Sequence, residues 1–248
     1  MARQFSSDGS RRPVFRELTR TALTGLCNAA AALLPQECAL CGQEGADVIC
    51  TQCAPTLPRL GPHCPVCALP RGASAPCAQC LRRAPAYDRT IAPFRYGYPV
   101  DRLIQALKYR GRLALAPFFA RSLTNTIAPG SADIILPVPL SPRRLRERGF
   151  NQALELARGV ARPHGGRVDP RLIVRVRDTL VQAALPLAAR ESNVRHAFDV
   201  RAPLQGRCVA VVDDVMTTGA TLEEIARVLK QAGAVRVENW VVARAIDH

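Results

Sequence analysis

A chain of 248 residues can bury one core of about 150 residues and carry a small module beside it. Its 48% apolar content describes a soluble globular protein, and no apolar run reaches the roughly 18 residues of a membrane span. The formal net charge of +14, from 34 basic and 20 acidic residues, points to polyanionic partners, either phosphates or nucleic acid.

At the N-terminus Arg11, Arg12, Arg16 and Arg20 precede a weakly apolar stretch, residues 21–34, that resembles a secretory signal core. Val14, Phe15, Leu18, Ala22, Leu26, Ala29 and Leu33 fall near one helical face, which favours a basic arm and amphipathic helix over residues 1–35.

Residues 36–81 hold four C-x-x-C units inside 43 residues: Cys38/Cys41, Cys50/Cys53, Cys64/Cys67 and Cys77/Cys80. Each unit bends the backbone into a knuckle that aims two thiolates at one metal, and two knuckles complete a tetrahedral zinc site. Sequential pairing leaves eight and nine residues between knuckles; interleaved pairing, first knuckle with third, stays open. Either arrangement predicts two structural Zn2+ ions, because the segment has no hydrophobic periodicity to build a core without metal. A disulfide-stapled secreted module would use the same even count, but a reducing, cytoplasmic setting suits the phosphate chemistry that follows along the chain. His63, Cys27 and Cys208 stand outside the pattern, the histidine expected in solvent and the two thiols in apolar surroundings.

Residues 81–90 read as a linker, and residues 82–248 as one α/β domain. Strands are predicted at 91–96, 133–138, 172–176, 208–212 and 235–245, and helices at 100–109, 113–127, 150–162 and 222–232. This alternation implies a mostly parallel sheet with right-handed crossovers, whose ligands bind at the carboxyl ends of the strands. One such end opens a loop in which Arg143, Arg144, Arg146 and Arg148 follow three prolines. It is read as a bidentate grip for pyrophosphate, with a solvated basic loop as the alternative. Asn151 and Gln152 supply polar anchors at the start of the next helix.

The strand 208–212 empties into Asp213 and Asp214, then into Thr217-Thr218-Gly219-Ala220-Thr221, then into an amphipathic helix. Free amides and the positive end of the helix dipole favour a phosphate at this turn, with threonine hydroxyls as further donors. Gly219 lets the backbone approach the anion. Carboxylates repel phosphate, so the acid doublet needs another partner, and vicinal ribose hydroxyls fit. The plain alternative is an acid pair closing a strand and an ordinary helix cap.

This segment closely resembles the diphosphoribosyl-binding signature of type I phosphoribosyltransferases. The resemblance implies that fold, with Asp213 and Asp214 as the catalytic pair on the ribose hydroxyls of phosphoribosyl pyrophosphate. It likewise implies Thr217, Thr218, Gly219, Ala220 and Thr221 on the 5-phosphate. Together with Pro137-Val138-Pro139-Leu140, Arg148-Gly149-Phe150-Asn151-Gln152, Leu107-Lys108-Tyr109-Arg110-Gly111 and the four C-x-x-C units, the chain is similar to the ComF family from about residue 36 onward. A further match is the segment with Arg175, Arg177, Thr179, Gln182, Leu185, Arg190, Asn193 and Phe198, where related enzymes carry a loop that closes over substrate. In that case Arg177 or Arg190 meets the phosphates; the alternative is a surface loop paired with Glu191 or Asp199.

If the protein is an enzyme, Mg2+ would bridge pyrophosphate and ribose oxygens, with Arg143, Arg144 and Arg148 as the leaving-group clamp. No acceptor-recognition pattern is legible, and the zinc module and residues 96–112 are the candidate hoods. The family resemblance implies a link to competence and DNA uptake. Its alternative is a non-catalytic protein that retains the pocket while binding single-stranded DNA or docking competence helicase machinery.

Overall fold

The computed structural model describes residues 36–72, 75–177 and 194–246. The expected amphipathic N-terminal helix, Cys27, and Thr179, Gln182, Leu185, Arg190, Glu191 and Asn193 lie outside the described residues. Two compact units divide the chain, one ending at Cys50 and the other beginning at Thr51. The first contains the antiparallel pair β1 (Gln36–Glu37) and β2 (Glu44–Gly45).

The second unit carries the short helix α1 (Ala78–Arg82) and is built on a parallel sheet. Its strands are β3 (Arg89–Ile91), β4 (Phe94–Arg95), β5 (Ile134–Pro137), β6 (Arg167–Val168), β9 (Cys208–Met216) and β10 (Arg236–Arg244). The order is β3-β10-β9-β5-β6, with β4 also on β10, and every pairing in it is parallel. A separate antiparallel ribbon joins β7 (Ile173–Arg175) to β8 (Phe198–Val200). The expected α/β class, a mostly parallel sheet with a small cysteine-rich ribbon ahead of it, is what is found.

Near-continuous burial of β9 and β10 is what helices on both faces require. Val209, Val211, Val237 and Val241 pack with Leu222, Ile225 and Leu229 of α6 (Ala220–Gln231). Against β5, β9 and β10 lie α3 (Leu115–Thr124) and α5 (Gln152–His164), which also pack on each other. They approach closely because Gly159 has no side chain: a Cβ there would stand 2.5 Å from that of Ala120. The lone tryptophan, Trp240, is buried in β10 and donates from Nε1 to Glu238 at 2.9 Å.

Three boundaries differ from expectation in ways that matter for the site. The strand expected at 91–96 is broken into β3 and β4 at Ala92-Pro93, since proline has no amide for the ladder. The arginine-rich stretch expected as a loop contains α4 (Pro142–Arg148). Ser141 caps it by accepting from the Arg144 amide, Pro142 takes the first turn, and Gly149 ends it at φ +75°. Finally, β9 runs four residues past Val212, because β10 pairs with it as far as Arg244 to Met216. The acid doublet therefore sits in a strand.

Candidate functional site

Asp213 and Asp214 sit side by side near the carboxyl end of β9 and both line one cavity. Asp214 is buried, and its Oδ1 lies 2.9 Å from Nζ of Lys108, the penultimate residue of α2 (Val100–Tyr109). Its Oδ2 is buried with no hydrogen-bond partner among the described residues. Such an atom is costly to keep unless a ligand or solvent reaches it. Asp213 Oδ1 accepts from the Asp214 amide at 2.8 Å. Burial, then the neighbouring Asp214 charge, push the Asp213 carboxyl up to about 7, although Lys108 opposes them. Burial alone would lower the Lys108 ammonium, but Asp214 outweighs it and the net displacement is upward.

Beyond the doublet the chain turns through Gly219 at φ +84° into α6. A Cβ there would meet Met216 Cε at 2.6 Å, so a larger residue is strained by the left-handed backbone and must displace the flexible end of Met216. Thr218 Oγ1 accepts from the Ala220 amide at 3.3 Å. The loop and the start of a 12-residue helix thus present backbone donors in one direction.

A cavity of about 170 Å³ collects these parts. Asp213, Asp214, Thr217, Gly219, Ala220 and Thr221 form one wall, and Lys108, Arg144, Arg148 and Gln152 another. Thr218 and Arg143 are placed elsewhere: Thr218 lines a second cavity of about 440 Å³, and Arg143 Nε donates to exposed Glu147 at 2.8 Å. Asn151 is structural, accepting from the Ala153 amide and donating to the Val138 carbonyl at 3.0 Å. Arg177 donates to the Arg195 carbonyl at 2.6 Å.

Gln152, read from the sequence as a polar anchor, lines this site; Lys108 and Tyr109, quoted there only within a family-matching box and a candidate hood, were given no role at the acid doublet or the arginines. Gln152 accepts from Arg148 at 2.9 Å, and Arg148 lies 5.0 Å over the Tyr109 ring, which is 70% exposed. The available signal was composition: Lys108 is one of two lysines in a chain rich in arginine. A compact ammonium suits a single buried carboxylate oxygen better than a forked guanidinium does.

The cysteines resolve the pairing question. Cys38, Cys41, Cys50 and Cys53 form one group and Cys64, Cys67, Cys77 and Cys80 the other, each with its Sγ atoms within 4.8 Å of one another. Sequential pairing is therefore the geometry found. The fit to zinc is close: Zn–S bonds of about 2.3 Å give a tetrahedron with edges of about 3.8 Å, and Cys41–Cys50 and Cys67–Cys77 stand at 3.8 and 3.7 Å. Amides of Cys50, Cys77 and Cys80 point at Sγ of Cys38, Cys64 and Cys77, the support that metal thiolates draw from their second layer.

Residues 29–81 match the family model of the double zinc ribbon domain. The DNA utilization protein YhgH of Salmonella typhi is 37% identical over 206 residues, covering 80% of this chain and 91% of its own. Competence protein F of Haemophilus influenzae is 31% identical over 179 residues, covering 68% and 78%. Among solved structures, a glutamine phosphoribosylpyrophosphate amidotransferase from B. subtilis overlaps 54% of this chain and 30% of its own, at 22% identity and a TM-score of 0.39. No helix among the described residues is long and apolar enough to cross a membrane. The chain belongs to the ComF family of competence and DNA utilization proteins.

Proposed function

We propose that this protein binds phosphoribosyl pyrophosphate, or a related ribose 5-phosphate, and transfers the phosphoribosyl group to an acceptor. The reading is supported by one convergence: Asp214, one of whose oxygens is buried and unpartnered among the described residues, lines the same cavity as a glycine-turned threonine loop and two guanidinium groups. Thr217, Thr221 and the amides at the start of α6 hold the 5-phosphate. Asp213 and Asp214 accept from the ribose hydroxyls and fix the ring for attack. Arg144 and Arg148 face the pyrophosphate, which departs as positive charge grows on the sugar, so their charge stabilises the separating pair.

Thr218 serves the loop through its bond to Ala220, and Arg143 pairs with Glu147 on α4. The donor set also fits Mg2+, which takes few carboxylates and keeps its waters. Held by Asp213 and Asp214 through water, it would neutralise leaving-group charge. Lys108 must share Asp214 with the incoming hydroxyls, so its ammonium supplies part of the same compensation before ligand arrives.

The test is release of pyrophosphate from phosphoribosyl pyrophosphate and Mg2+ across a panel of nucleobases and pyridine carboxylates. Turnover that Asp214→Asn abolishes supports the reading, and absence of ligand heat in calorimetry with folded protein overturns it. A second reading, a non-catalytic binder of single-stranded DNA, draws on the exposed Tyr98 and Tyr109 beside basic segments and on the names of the relatives. Steeply salt-dependent strand binding without turnover would favour it.

A further inference from the structure

The last strand of the sheet ends on a buried cation that touches two segments remote in sequence. Arg244 is 4% exposed. Its Nε donates to the Cys67 carbonyl at 2.8 Å, and its Nη1 donates to the carbonyls of Met216 at 3.0 Å, of Thr217 and of Ala245. Cys67 belongs to the second cysteine cluster. Met216 and Thr217 carry the chain out of the acid doublet into the threonine loop. A second tie runs alongside: the Ala86 amide donates to both Glu223 oxygens in the first turn of α6, at 2.9 and 3.2 Å.

A buried guanidinium is tolerated only while its donors are satisfied, and removing one acceptor leaves an expensive orphan. Cys67 Sγ stands within 4.8 Å of the Sγ atoms of Cys64, Cys77 and Cys80, so a metal bound there would fix the knuckle that carries the Cys67 carbonyl. Release of that metal frees four thiols from one point, and the carbonyl moves with its knuckle. Arg244 must then reorient, and the carbonyls of Met216 and Thr217 follow it or lose it.

We propose that Arg244 is a positioning residue that couples the second zinc site to the ribose-phosphate loop, so that metal at Cys64, Cys67, Cys77 and Cys80 and phosphate at the loop favour each other's binding. This coupling rests on the ribose-phosphate reading above. It acts through the loop's backbone, with no contact between Arg244 and ligand. Because binding free energies are reciprocal, the effect runs both ways: ligand retains zinc, and zinc retains ligand.

The experiment uses the full chain loaded with both zinc ions, ribose 5-phosphate with Mg2+ as probe, and a chromogenic chelator to time metal release. Saturating ribose 5-phosphate should slow release of one zinc ion at least ~5-fold and leave the other unchanged, as a coupling of ordinary size requires. Arg244→Met should keep two zinc ions, bind ribose 5-phosphate at least ~10-fold more weakly and lose the slowing; Arg244→Lys, with fewer donors on a flexible stem, should recover part of both. Unchanged release in ligand-bound wild type, or wild-type affinity in Arg244→Met, overturns the coupling. If the wild type binds no ribose 5-phosphate, the site reading fails by itself, and hydrogen exchange of the peptide 214–221 decides the coupling. Exchange must quicken when the second zinc is withdrawn from the wild type; no change overturns it. That wild-type measurement also stands if Arg244→Met does not fold.

Discussion

The two cysteine clusters share one chemistry and differ in setting. Around Cys38 the chain closes a short hairpin, and the bonds that steady it, Cys38 N to the Gln43 carbonyl and Ala39 N to that of Val48, stay within a dozen residues. Around Cys64 and Cys67 the bonds reach into the sheet: Thr90 N donates to the Pro65 carbonyl, and Arg244 to that of Cys67. The spacing of C-x-x-C units states how many ions are held; the neighbours of each knuckle determine what the ion holds in turn.

The largest expected effect breaks this comparison at its root. Cys80→Ser should lose one zinc ion and lower the calorimetric midpoint of the α/β unit by about 10 °C or more, whereas Cys41→Ser should lose one zinc ion and shift it by less than about 3 °C. Equal shifts would show the two ribbons to be equivalent supports. Next, Lys108→Met leaves Asp214 buried without its cation and should destabilise by about 2–3 kcal/mol in denaturant titration, with both zinc ions retained. The double variant Lys108→Met/Asp214→Asn should regain most of that.

Gly219→Ala sharpens the comparison at the loop itself. The left-handed backbone and the Met216 contact should cost about 1–2 kcal/mol of stability, and ribose 5-phosphate affinity should fall about tenfold by calorimetry. The smallest effect is a pH dependence. Asp213 titrates near 7 in the fold against about 4 when unfolded, so its protonated form is favoured by folding. Its contribution is full below about pH 4 and is lost as pH rises through 7, because between those values the native state still holds a proton that the unfolded chain has released. Melting curves from pH 5 to 8 should show that decline in wild type and a flatter profile in Asp213→Asn, while ligand affinity in wild type climbs as the carboxylate forms.

What the sequence made legible was local. Paired cysteines three apart and the Asp-Asp, Thr-Thr-Gly-Ala-Thr order across a strand end and helix start are written within a few residues; the cysteines gather in two groups, and the second run lines one cavity except for Thr218. The sheet followed from alternating strand and helix patterns. Contacts between distant residues were not legible: Lys108 meets Asp214 from another element, and Arg244 meets Cys67 across 177 positions. The same limit explains the doublet's setting, since pairing with β10 carries β9 past the point where its apolar run stops. The short helix α4 was obscured by charge: four arginines read as a loop that grips pyrophosphate, although Ser141-Pro142 and Gly149 mark the two ends of a helix.

With its lone indole in β10, four positions before Arg244, the molecule carries a native optical probe in its central sheet. Emission from Trp240 follows the α/β unit, while the hairpin of β1 and β2 contributes no indole to the signal. A fluorescence melt would therefore pass over metal loss confined to the first cluster without a visible step, and bookkeeping of the two ions calls for a readout at sulfur rather than at the ring.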